Sequence, residues 1–553
     1  MSAQTRHRWI AIVPTVLLLV SLASAFRWKD ESDYFFRINR GLELFGQVYR
    51  EVAQNYVDDI DPDAFIAAGI DGMLGTLDPY TVYMDKREAA EIDMLTSGSY
   101  AGVGISVGIR DSVVTIVDVV DGYSARREGV RIGDRILAVN GVTLLGSPVD
   151  LLRERMRGEA NTTLSMTVLR EGVGHPLTFT LMREMIRVRS VGYRTTFPDG
   201  IGFIRLERFG SSAGSEIRDA IAEMQSNAPL RGLILDLRDN PGGLLESAVD
   251  VVSKFVPVGS VVVSTRGRDA QEDRVYRSAE DPVLSGIPLV VLINENSASA
   301  SEIVAGAIQD LDAGVIVGER SFGKGLVQSV RRLPHDASLK ITTARYYTPS
   351  GRSIQMVDYA ARRGARNVDT ARRLFQTAHG RQVSDHGGIE PDTTITGSIL
   401  LPDLFWLRDD ATLFTFATRM AAEMMALPND YRVDDAALDR FEAYTLQRLD
   451  SIGGGRALTS TRELERGMMN EGYGEKAMQK VRDLRRELLT ERRRQLMRHR
   501  EVIRQELRGE VVARFRGQRE RLAVSLPHDR QVSAALALLH KGAWDYGRML
   551  SAR

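Results

Sequence analysis

Residues 288–309 read PLVVLINENSASASEIVAGAIQ. The first six residues are almost continuously apolar, as in a strand that is buried on both faces, and Ser299–Gln309 has the composition of a helix. A run of small residues joins the two. The apolar Gly232–Leu237 and the helical Leu244–Phe255 form an earlier pair of the same kind. Buried strands that alternate with amphipathic helices predict an α/β layer whose sheet is covered on both faces.

The segments on either side of this layer have other patterns. Residues 34–95 show helical apolar spacing interrupted by Asp61-Pro62-Asp63, which is typical of a small helical cap. Residues 98–185 contain short runs rich in β-forming residues and one helical stretch, Pro148–Arg157, and predict a strongly bent β domain. The fold predicted is multidomain α/β, with five segments: 1–26 (export signal or membrane anchor), 34–96 (N-terminal helical region), 97–186 (β domain), 187–398 (α/β core) and 399–553 (helical C-terminal extension).

The composition excludes several kinds of chemistry. The 553 residues include no cysteine, so a disulfide, a cysteine metal site and a cysteine nucleophile are impossible. The eight histidines lack the His-Glu-x-x-His spacing of zinc peptidases, and we expect no metal and no cofactor. The 73 basic residues balance the 73 acidic residues, which argues against a nucleic-acid-binding chain.

A local basic excess occurs at residues 476–520, within the helical extension. Glu510 and Arg514 stand four residues apart there, as on the solvated face of a helix. We therefore predict one long charged helix that serves as a dimer or interaction arm. A nucleic-acid-binding arm is the less favoured interpretation, because basic runs more often solvate a helix face.

The N-terminus has the pattern of an export signal. Arg6 and Arg8 precede an apolar run, Trp9–Ala25, which ends in the small-residue pattern Ala23-Ser24-Ala25. The run is near the lower limit of the ~17–25 residues that span a bilayer, so it could also stay as an anchor. We expect an exported protein of the cell envelope or periplasm, with cleavage of the segment and inner-membrane anchoring both open.

A candidate nucleophile lies at the junction between the strand and the helix of residues 288–309. The N-terminus of a helix offers unpaired N–H groups and a positive dipole to a developing oxyanion, and Ser299 stands there. An ordinary helix cap is the alternative, because Ser and Glu are common at such positions. In Asn240-Pro241-Gly242-Gly243 a glycine N–H could complete an oxyanion hole with the amide of Ala300, or simply form a turn.

A nucleophilic serine needs a base, and no histidine stands in a suitable context. Lys324 lies between Gly323 and Gly325, which would let the backbone pack closely and leave the amine in a dry slot. Desolvation there would lower its pKa from about 10.4, although a surface-turn lysine is the plain alternative. Gln328 is predicted to share one face of a strand with Lys324 and to accept a hydrogen bond from its amine.

A phosphate-binding loop is almost matched by Gly318-x4-Gly323-Lys324. The next residue is Gly325 where that loop needs Ser or Thr, and a predicted strand follows where the loop needs a helix. We therefore reject the interpretation that the chain is a nucleoside triphosphatase. The β domain opens with Gly102-Val103-Gly104-Ile105. Successive N–H groups in such a turn can hold the terminal carboxylate of a peptide that adds as a strand.

Taken in order, these segments resemble the carboxyl-terminal processing proteases, also called tail-specific proteases. The resemblance covers nearly the whole chain. Its motifs are Asn55–Asp58, Leu77–Pro79, Gly102–Ile105, Gly133–Gly141, Asn240–Gly243, Ser297–Glu302, Gly323–Gly325, Tyr347–Arg352, Gly388–Asp392 and, in the tail, Val524–Leu539. The segment 356–386 and the extension past residue 400 are not shared by all members.

The resemblance implies a crotonase-like α/β peptidase core with an inserted PDZ domain. It implies Ser299 as the nucleophile, Lys324 as the general base and Gln328 as its helper, with an oxyanion hole made by Ala300 and either Gly242 or Gly243. The implied activity is endopeptidase cleavage near the C-termini of proteins through an acyl-enzyme. The PDZ domain would bind unstructured substrate tails, and the C-terminal helices could mediate homo-oligomer or adaptor contacts.

Two other functions fit part of the pattern. A non-catalytic PDZ scaffold on a peptidase-like fold would have no need of Ser299, Lys324 and Gln328 together. An enzyme acting on acyl-CoA would share the type of core, but the PDZ domain, the export signal and the Ser/Lys pair speak against it.

Overall fold

The computed structural model describes residues 34–551 except 87, 90–97, 111–112, 145–151, 153–154, 360–371, 386, 398–401, 410 and 452–454. The predicted signal or anchor at 1–26, most of the predicted helix Pro148–Arg157 and part of the segment 356–386 lie outside the described residues. The chain forms two compact units. Of the described residues, one unit contains those up to Asp85 together with Val330–Ile341, and the other contains those from Lys86 to Ser329 and from Thr342 onward.

The first unit is mainly helical. A helix over residues 34–55 is followed by the helix Pro62–Leu74. Asp61 begins this second helix, because its carboxylate accepts hydrogen bonds from the amides of Asp63 and Ala64. The short strand Val82–Met84 pairs antiparallel with residues 338–340.

The β domain opens the second unit and has a five-strand path in one sheet. Its strands in sheet order are Ile105–Arg110, Val113–Val119, Arg135–Val139, Thr163–Leu169 and Leu177–Met182, with Val142–Thr143 beside Arg135–Val139. Ser99–Gly102 and Glu184–Arg187 form a separate antiparallel pair, and Ser124–Arg127 is a short helix. Ile116, Val139 and Met166 are among the buried residues of its core.

The α/β core is built on a six-stranded sheet. Its order is Val191–Thr196, Ile201–Leu206, Gly232–Asp236, Leu289–Ile293, Val315–Gly318 and Thr393–Thr394, and every pairing after the first is parallel. The helices Ala213–Asn227, Leu245–Ser253 and Ala300–Asp310 pack on one face. The predicted fold class is confirmed, and the parallel order brings the C-terminal ends of the strands to one edge.

The opposite face of this sheet is covered by the end of the chain. The helices concerned are Gln518–Ser525, Arg530–His540 and Gly542–Met549. Val532, Ala535 and Leu539 pack against sheet residues such as Ile234 and Leu292. The sequence predicted a sheet covered on both faces, but it did not assign the second cover to the C-terminal extension.

A second sheet contains Val261–Gly267, Arg274–Arg277, Leu326–Arg332 and Ser338–Tyr347. Val261–Gly267 pairs antiparallel with Arg274–Arg277 and with residues 344–347. Leu374–Gln376 and Gln382–Ser384 form a small hairpin. This second sheet matters for the site because Leu326–Arg332 follows the predicted lysine loop directly.

The rest of the extension is a helical domain with its own core. Its helices are Phe405–Asp409, Thr412–Ala422, Asp435–Ser451, Gly455–Asn470, Glu475–Arg498 and Arg500–Arg516. The predicted single helix over 476–520 is wrong, because it breaks at His499 and again at Gly517, where φ is +83°. Glu510 and Arg514 are buried and bonded to each other, so they are not on a solvated face.

Within the described ranges, no helix has both the length and the apolar character needed to cross a membrane.

Candidate active site

Ser299 begins the helix Ala300–Asp310 at the end of the segment that follows strand Leu289–Ile293. Its backbone has φ 56° and ψ −110°, a conformation that non-glycine residues rarely adopt and that surrounding contacts must hold. Its amide donates to Oε2 of Glu302 at 2.9 Å. The local strain therefore falls on the residue that the sequence predicts as the nucleophile.

The neighbouring serines have structural roles. Ser297 and Ser301 are both 0% exposed, and their hydroxyls donate at 2.8 Å to the carbonyls of Leu237 and Asn240. These bonds fasten the junction to the end of strand Gly232–Asp236. Ser299 is half-buried, so it alone of the three serines can be reached by a substrate.

Gly242 and Gly243, the two glycines that the sequence offered for the oxyanion hole, differ in the hydrogen bonding of their amides. The buried amide of Gly242 donates to Oδ1 of Asn240 at 2.9 Å. Gly243 is exposed, and its N–H has no hydrogen-bond partner in the described part of the chain, nor has the N–H of the fully buried Ala300. An unsatisfied buried N–H needs an explanation, and an oxyanion would supply one.

Gly242 has a packing role at the same place. Its φ is +104°, and a Cβ there would lie 2.9 Å from Cβ of Ser299 and 3.0 Å from the nitrogen of Ala300. A side chain at Gly242 would therefore displace the predicted nucleophile. This close approach brings the Asn240–Gly243 turn and the start of the helix together.

Lys324 is half-buried in an irregular segment, Ser321–Gly325. A Cβ on Gly323 would lie 2.7 Å from Cβ of Met356, and a Cβ on Gly325 would lie 2.9 Å from the nitrogen of Gln355. The Gly325 amide donates to Oε1 of Gln355 at 2.6 Å. A glycine is therefore needed on each side of Lys324, because the segment that contains Gln355 and Met356 packs directly against both positions.

Gln328 lies in strand Leu326–Arg332, which starts two residues after Lys324. The prediction that both side chains share one face of a strand is therefore wrong, because the amides around Lys324 bond to side chains and not to a ladder. The Gln328 amide nitrogen lies 3.3 Å from the carbonyl of Leu326 and 3.3 Å from Oγ1 of Thr342. Among the described residues, no hydrogen bond joins Gln328 to Lys324.

The carboxylate of Glu302 connects the two predicted catalytic segments, and the sequence did not predict this role. It is 0% exposed, and burial raises its pKa to about 7. It accepts from the amides of Ser299 and Lys324 at 2.9 Å, the amide of Gly323 at 2.7 Å and the hydroxyl of Ser321 at 2.6 Å. In the sequence, a Glu three residues after a Ser indicates only a helix cap.

Tyr346 is a second connecting residue without a sequence signature. Its hydroxyl contacts the carbonyl of Ser299 at 3.2 Å and also forms a short hydrogen bond with the carbonyl of Lys324. The ring is buried, and the Tyr346 amide donates to the carbonyl of Gly325. Only the register of strand Ser338–Tyr347 places this hydroxyl, and register is set by pairing across the sheet.

The predicted peptide-binding turn opens an edge strand of the β domain. Gly104 has φ +83°, and a Cβ there would lie 2.7 Å from Cβ of Tyr123, so the turn requires glycine. Ile105 begins strand Ile105–Arg110, which has a sheet neighbour on one side only in the described fold. Gly102 and Val103 precede it, and the carbonyl of Val103 accepts from Ala125. An edge of this kind can accept an added strand.

A metal site was not predicted. In the part of the chain that the structure describes, no group of three His, Cys, Asp or Glu side chains is placed to hold a metal ion.

Comparison with known proteins identifies the family. Residues 200–360 match Peptidase family S41, and residues 115–170 match a PDZ domain. The carboxy-terminal-processing protease of Bartonella bacilliformis is 38% identical over 340 residues, which cover 61% of this chain and 77% of that protein. The chain belongs to the carboxy-terminal-processing proteases of family S41. It is therefore a serine peptidase, and its PDZ domain implies protein substrates.

Two further family models match the two ends of the chain. Residues 405–539 match "Probable PDZ-protease, C-terminal helical domain", and residues 24–88 match "Activating protease CtpB N-terminal domain". A carboxyl-terminal-processing protease of Synechocystis is 35% identical over 291 residues, 52% of this chain and 67% of that protein. The solved photosystem II D1 C-terminal processing protease is 28% identical with a TM-score of 0.36, covering 66% of this chain and 95% of that chain.

Proposed function

We propose that this S41 peptidase cleaves proteins near their C-termini with Ser299 as nucleophile and Lys324 as general base. The observation that carries the proposal is the shared contact with one carboxylate oxygen. The amide nitrogens of Ser299 and Lys324 each lie 2.9 Å from Oε2 of Glu302, so the two nitrogens are at most 5.8 Å apart, twice that distance. Two residues that are 25 positions apart in the sequence thereby become neighbours.

The first half of the reaction would form an acyl-enzyme. Neutral Lys324 takes the proton of Ser299 Oγ as that oxygen bonds to the scissile carbonyl carbon. The oxyanion accepts hydrogen bonds from the amides of Ala300 and Gly243. The peptide C–N bond then breaks, the lysine ammonium returns its proton to the leaving amine, and an ester remains on Ser299.

Hydrolysis of that ester completes the cycle. Lys324 deprotonates a water molecule, which attacks the ester carbonyl in the same oxyanion hole. The Ser299–acyl bond breaks, the serine regains a proton, and a new C-terminal carboxylate leaves. Gln328 is proposed to assist the lysine, which would require its amide to turn from Leu326 and Thr342 toward the amine.

The PDZ domain is proposed to bind the substrate tail. The tail would pair with edge strand Ile105–Arg110, and its carboxylate would meet the N–H groups of the turn Gly102-Val103-Gly104-Ile105. A substrate with an amidated C-terminus should then be cleaved with a higher KM than the same substrate with a free carboxylate. Equal KM values for the two would contradict tail binding through the carboxylate.

We also propose export through residues 1–26, to the cell envelope or periplasm and with the segment either cleaved or kept as an inner-membrane anchor. The support is the charge, apolar and small-residue pattern of the segment. Expression of the full chain and of a form lacking residues 1–25, followed by fractionation of the cells, tests this. Retention of both forms in the cytoplasm would contradict it.

The dyad is tested by cleavage of an unfolded substrate. The form lacking residues 1–25 and its Ser299→Ala and Lys324→Ala variants are incubated with casein, with Ser211→Ala and Lys476→Ala as exposed controls. We expect cleavage by the parent and both controls alone. Cleavage by all five proteins would disprove the site assignment, and cleavage by none would indicate either an autoinhibited peptidase that awaits a partner or the scaffold alternative.

A further inference from the structure

The two catalytic segments are connected through their backbones, and a buried side chain makes most of the connection. Glu302 receives four hydrogen bonds, two on each carboxylate oxygen. Oε2 accepts from the amides of Ser299 and Lys324, while Oε1 accepts from the amide of Gly323 and the hydroxyl of Ser321. A cap of the helix would need only the bond from Ser299, so the three others serve the lysine loop.

Burial makes this arrangement selective. An ionised carboxylate without water is costly unless donors surround it, and charge-assisted hydrogen bonds are about twice as strong as neutral ones. All four donors of Glu302 come from the two catalytic segments or from the residues beside them. The Glu302 carboxylate therefore has all four of its hydrogen-bond donors only when the nucleophile segment and the lysine loop are both in place.

Tyr346 makes the same connection on the carbonyl side. Its buried hydroxyl lies within hydrogen-bond distance of the carbonyls of both Ser299 and Lys324. A hydroxyl has one proton, so it bonds to one carbonyl at a time and keeps the other carbonyl close. Apart from these two side chains, the amide of Phe322 donates to the carbonyl of Ser297 at 3.0 Å.

We propose that Glu302 and Tyr346 are positioning residues that set the distance and orientation between Ser299 and Lys324. Glu302 holds the N–H groups of the two residues, and Tyr346 holds their carbonyl groups. Neither side chain needs to touch the substrate. This inference rests on the proposed dyad, and it explains how a nucleophile and a base from different elements stay aligned before a substrate arrives.

A glutamine at position 302 has nearly the shape of the glutamate but cannot accept four hydrogen bonds. If its NH2 group takes the place of Oε2, it faces the amides of Ser299 and Lys324, which are both donors. If it takes the place of Oε1, it still faces the amide of Gly323, although the hydroxyl of Ser321 can turn to accept. Glu302→Gln therefore breaks at least one backbone contact in either orientation.

The experiment measures kcat and KM of peptide cleavage for Glu302→Gln and Tyr346→Phe. Glu506→Gln is the matched control for a largely buried carboxyl whose pKa burial raises, in the helical domain. Tyr546→Phe is the control for a buried tyrosine hydroxyl that bonds to backbone, at Leu289. Circular dichroism and thermal unfolding establish that each variant is folded.

We expect Glu302→Gln to lower kcat by about 10²-fold with KM changed less than about threefold, because a small displacement of reacting groups costs on that order. Tyr346→Phe should lower kcat by about tenfold, the loss of one hydrogen bond. The rate of Ser299 labelling by a sulfonyl fluoride should fall with kcat in both variants. Both controls should keep parental kinetics.

A folded Glu302→Gln variant with kcat within threefold of the parent would overturn the role of Glu302. If that variant does not fold, Tyr346→Phe decides alone, since it leaves every Glu302 contact in place, and an unchanged kcat would overturn the proposal. Failure of the dyad itself gives a different result, because Ser299→Ala would then remain active.

Discussion

Ser299 and its neighbours show how three similar residues in one run acquire different roles. The hydroxyls of Ser297 and Ser301 donate hydrogen bonds to carbonyls at the end of the adjacent strand. Ser299 has the strained backbone conformation. The strain is maintained by the contacts of its amide and carbonyl with Glu302 and Tyr346. If Ser299 is the nucleophile, as proposed, it does not have to be reorganised when a substrate binds.

The sequence supported the positions of Ser299 and Lys324 but could not show what aligns them. Gly323 and Gly325 indicated close packing around the lysine, and Met356 and Gln355 provide it. Glu302 looked like a cap residue because the same pattern serves both purposes. Its further donors lie about twenty residues away in the chain, so no local pattern could indicate them.

The pKa of Glu302 predicts a pH dependence of stability. Burial raises this pKa from 4.5 to about 7, so the folded state binds the proton more tightly than the unfolded state. The contribution of Glu302 to stability is therefore fully present below pH 4.5 and is lost as the pH rises through 7. At about 1.4 kcal/mol per pKa unit, the parent should lose roughly 3 kcal/mol relative to Glu302→Gln over this range.

Urea unfolding of the parent and of Glu302→Gln at pH 5 and pH 8 measures that difference. Activity should move in the other direction, because only the ionised carboxylate accepts all four hydrogen bonds, and cleavage should decline as the pH falls through 7. An identical pH dependence of unfolding in the two proteins would show that Glu302 does not titrate in this range.

The helix Arg530–His540 is an element of the peptidase core, although it lies near the end of the chain. Its apolar residues Val532, Ala535 and Leu539 recur at three- and four-residue spacing and cover the sheet. Asp529 caps the helix and also bonds to the buried guanidinium of Arg238, beyond strand Gly232–Asp236. The sequence predicted a helical extension in this region but assigned no partner to it, since an apolar stripe does not say which surface it covers.

Loss of packing in this helix should destabilise the whole core. Leu539 is 9% exposed and lies directly over Gly232, where a Cβ would come within 3.1 Å of it. Leu539→Ala should lower the free energy of unfolding by about 2–3 kcal/mol, since it leaves a cavity over the sheet. Urea denaturation measures this, with the exposed Leu464→Ala as the control, expected to stay within about 0.5 kcal/mol.

The basic run over 476–520 contains a residue spacing that is compatible with both an exposed and a buried helix face. Glu510 and Arg514 have the same spacing whether they face water or the interior, so the sequence suggested a solvated face. The structure buries them, and Leu507 and Val511 pack in the helical core beside them. Gly517 ends the helix in a conformation that favours glycine, which allows the chain to turn toward the sheet.

In the molecule as a whole, the helical domain contacts the PDZ domain. Ala513 belongs to the buried core of the PDZ domain, and the Arg126 guanidinium donates to the carbonyl of Phe515 at 2.9 Å. The chain then continues into the helices that cover the sheet. We expect this continuous path, from residue 513 to residue 546, to hold the PDZ domain against the rest of its unit.

Phe414 provides a test of that attachment. Its ring lies 4.4 Å from the Arg514 guanidinium and 5.5 Å from that of Arg110, at the end of the predicted peptide-binding strand. Phe414→Ala should increase hydrogen exchange in strand Ile105–Arg110 by about tenfold and leave strand Leu289–Ile293 unchanged. Equal exchange in both strands of variant and parent would mean that the helical domain does not hold the PDZ domain.

The most direct test of the dyad is the site and rate of covalent labelling. A sulfonyl fluoride is incubated with the parent, Ser299→Ala and Lys324→Met at several pH values, and the modified peptide is identified by mass spectrometry. We predict labelling of Ser299 in the parent, at a rate that rises with pH as the lysine becomes neutral, and at least about 10²-fold slower labelling in Lys324→Met. Labelling at another serine, or labelling of Ser299 at the same rate in Lys324→Met, would contradict the assignment.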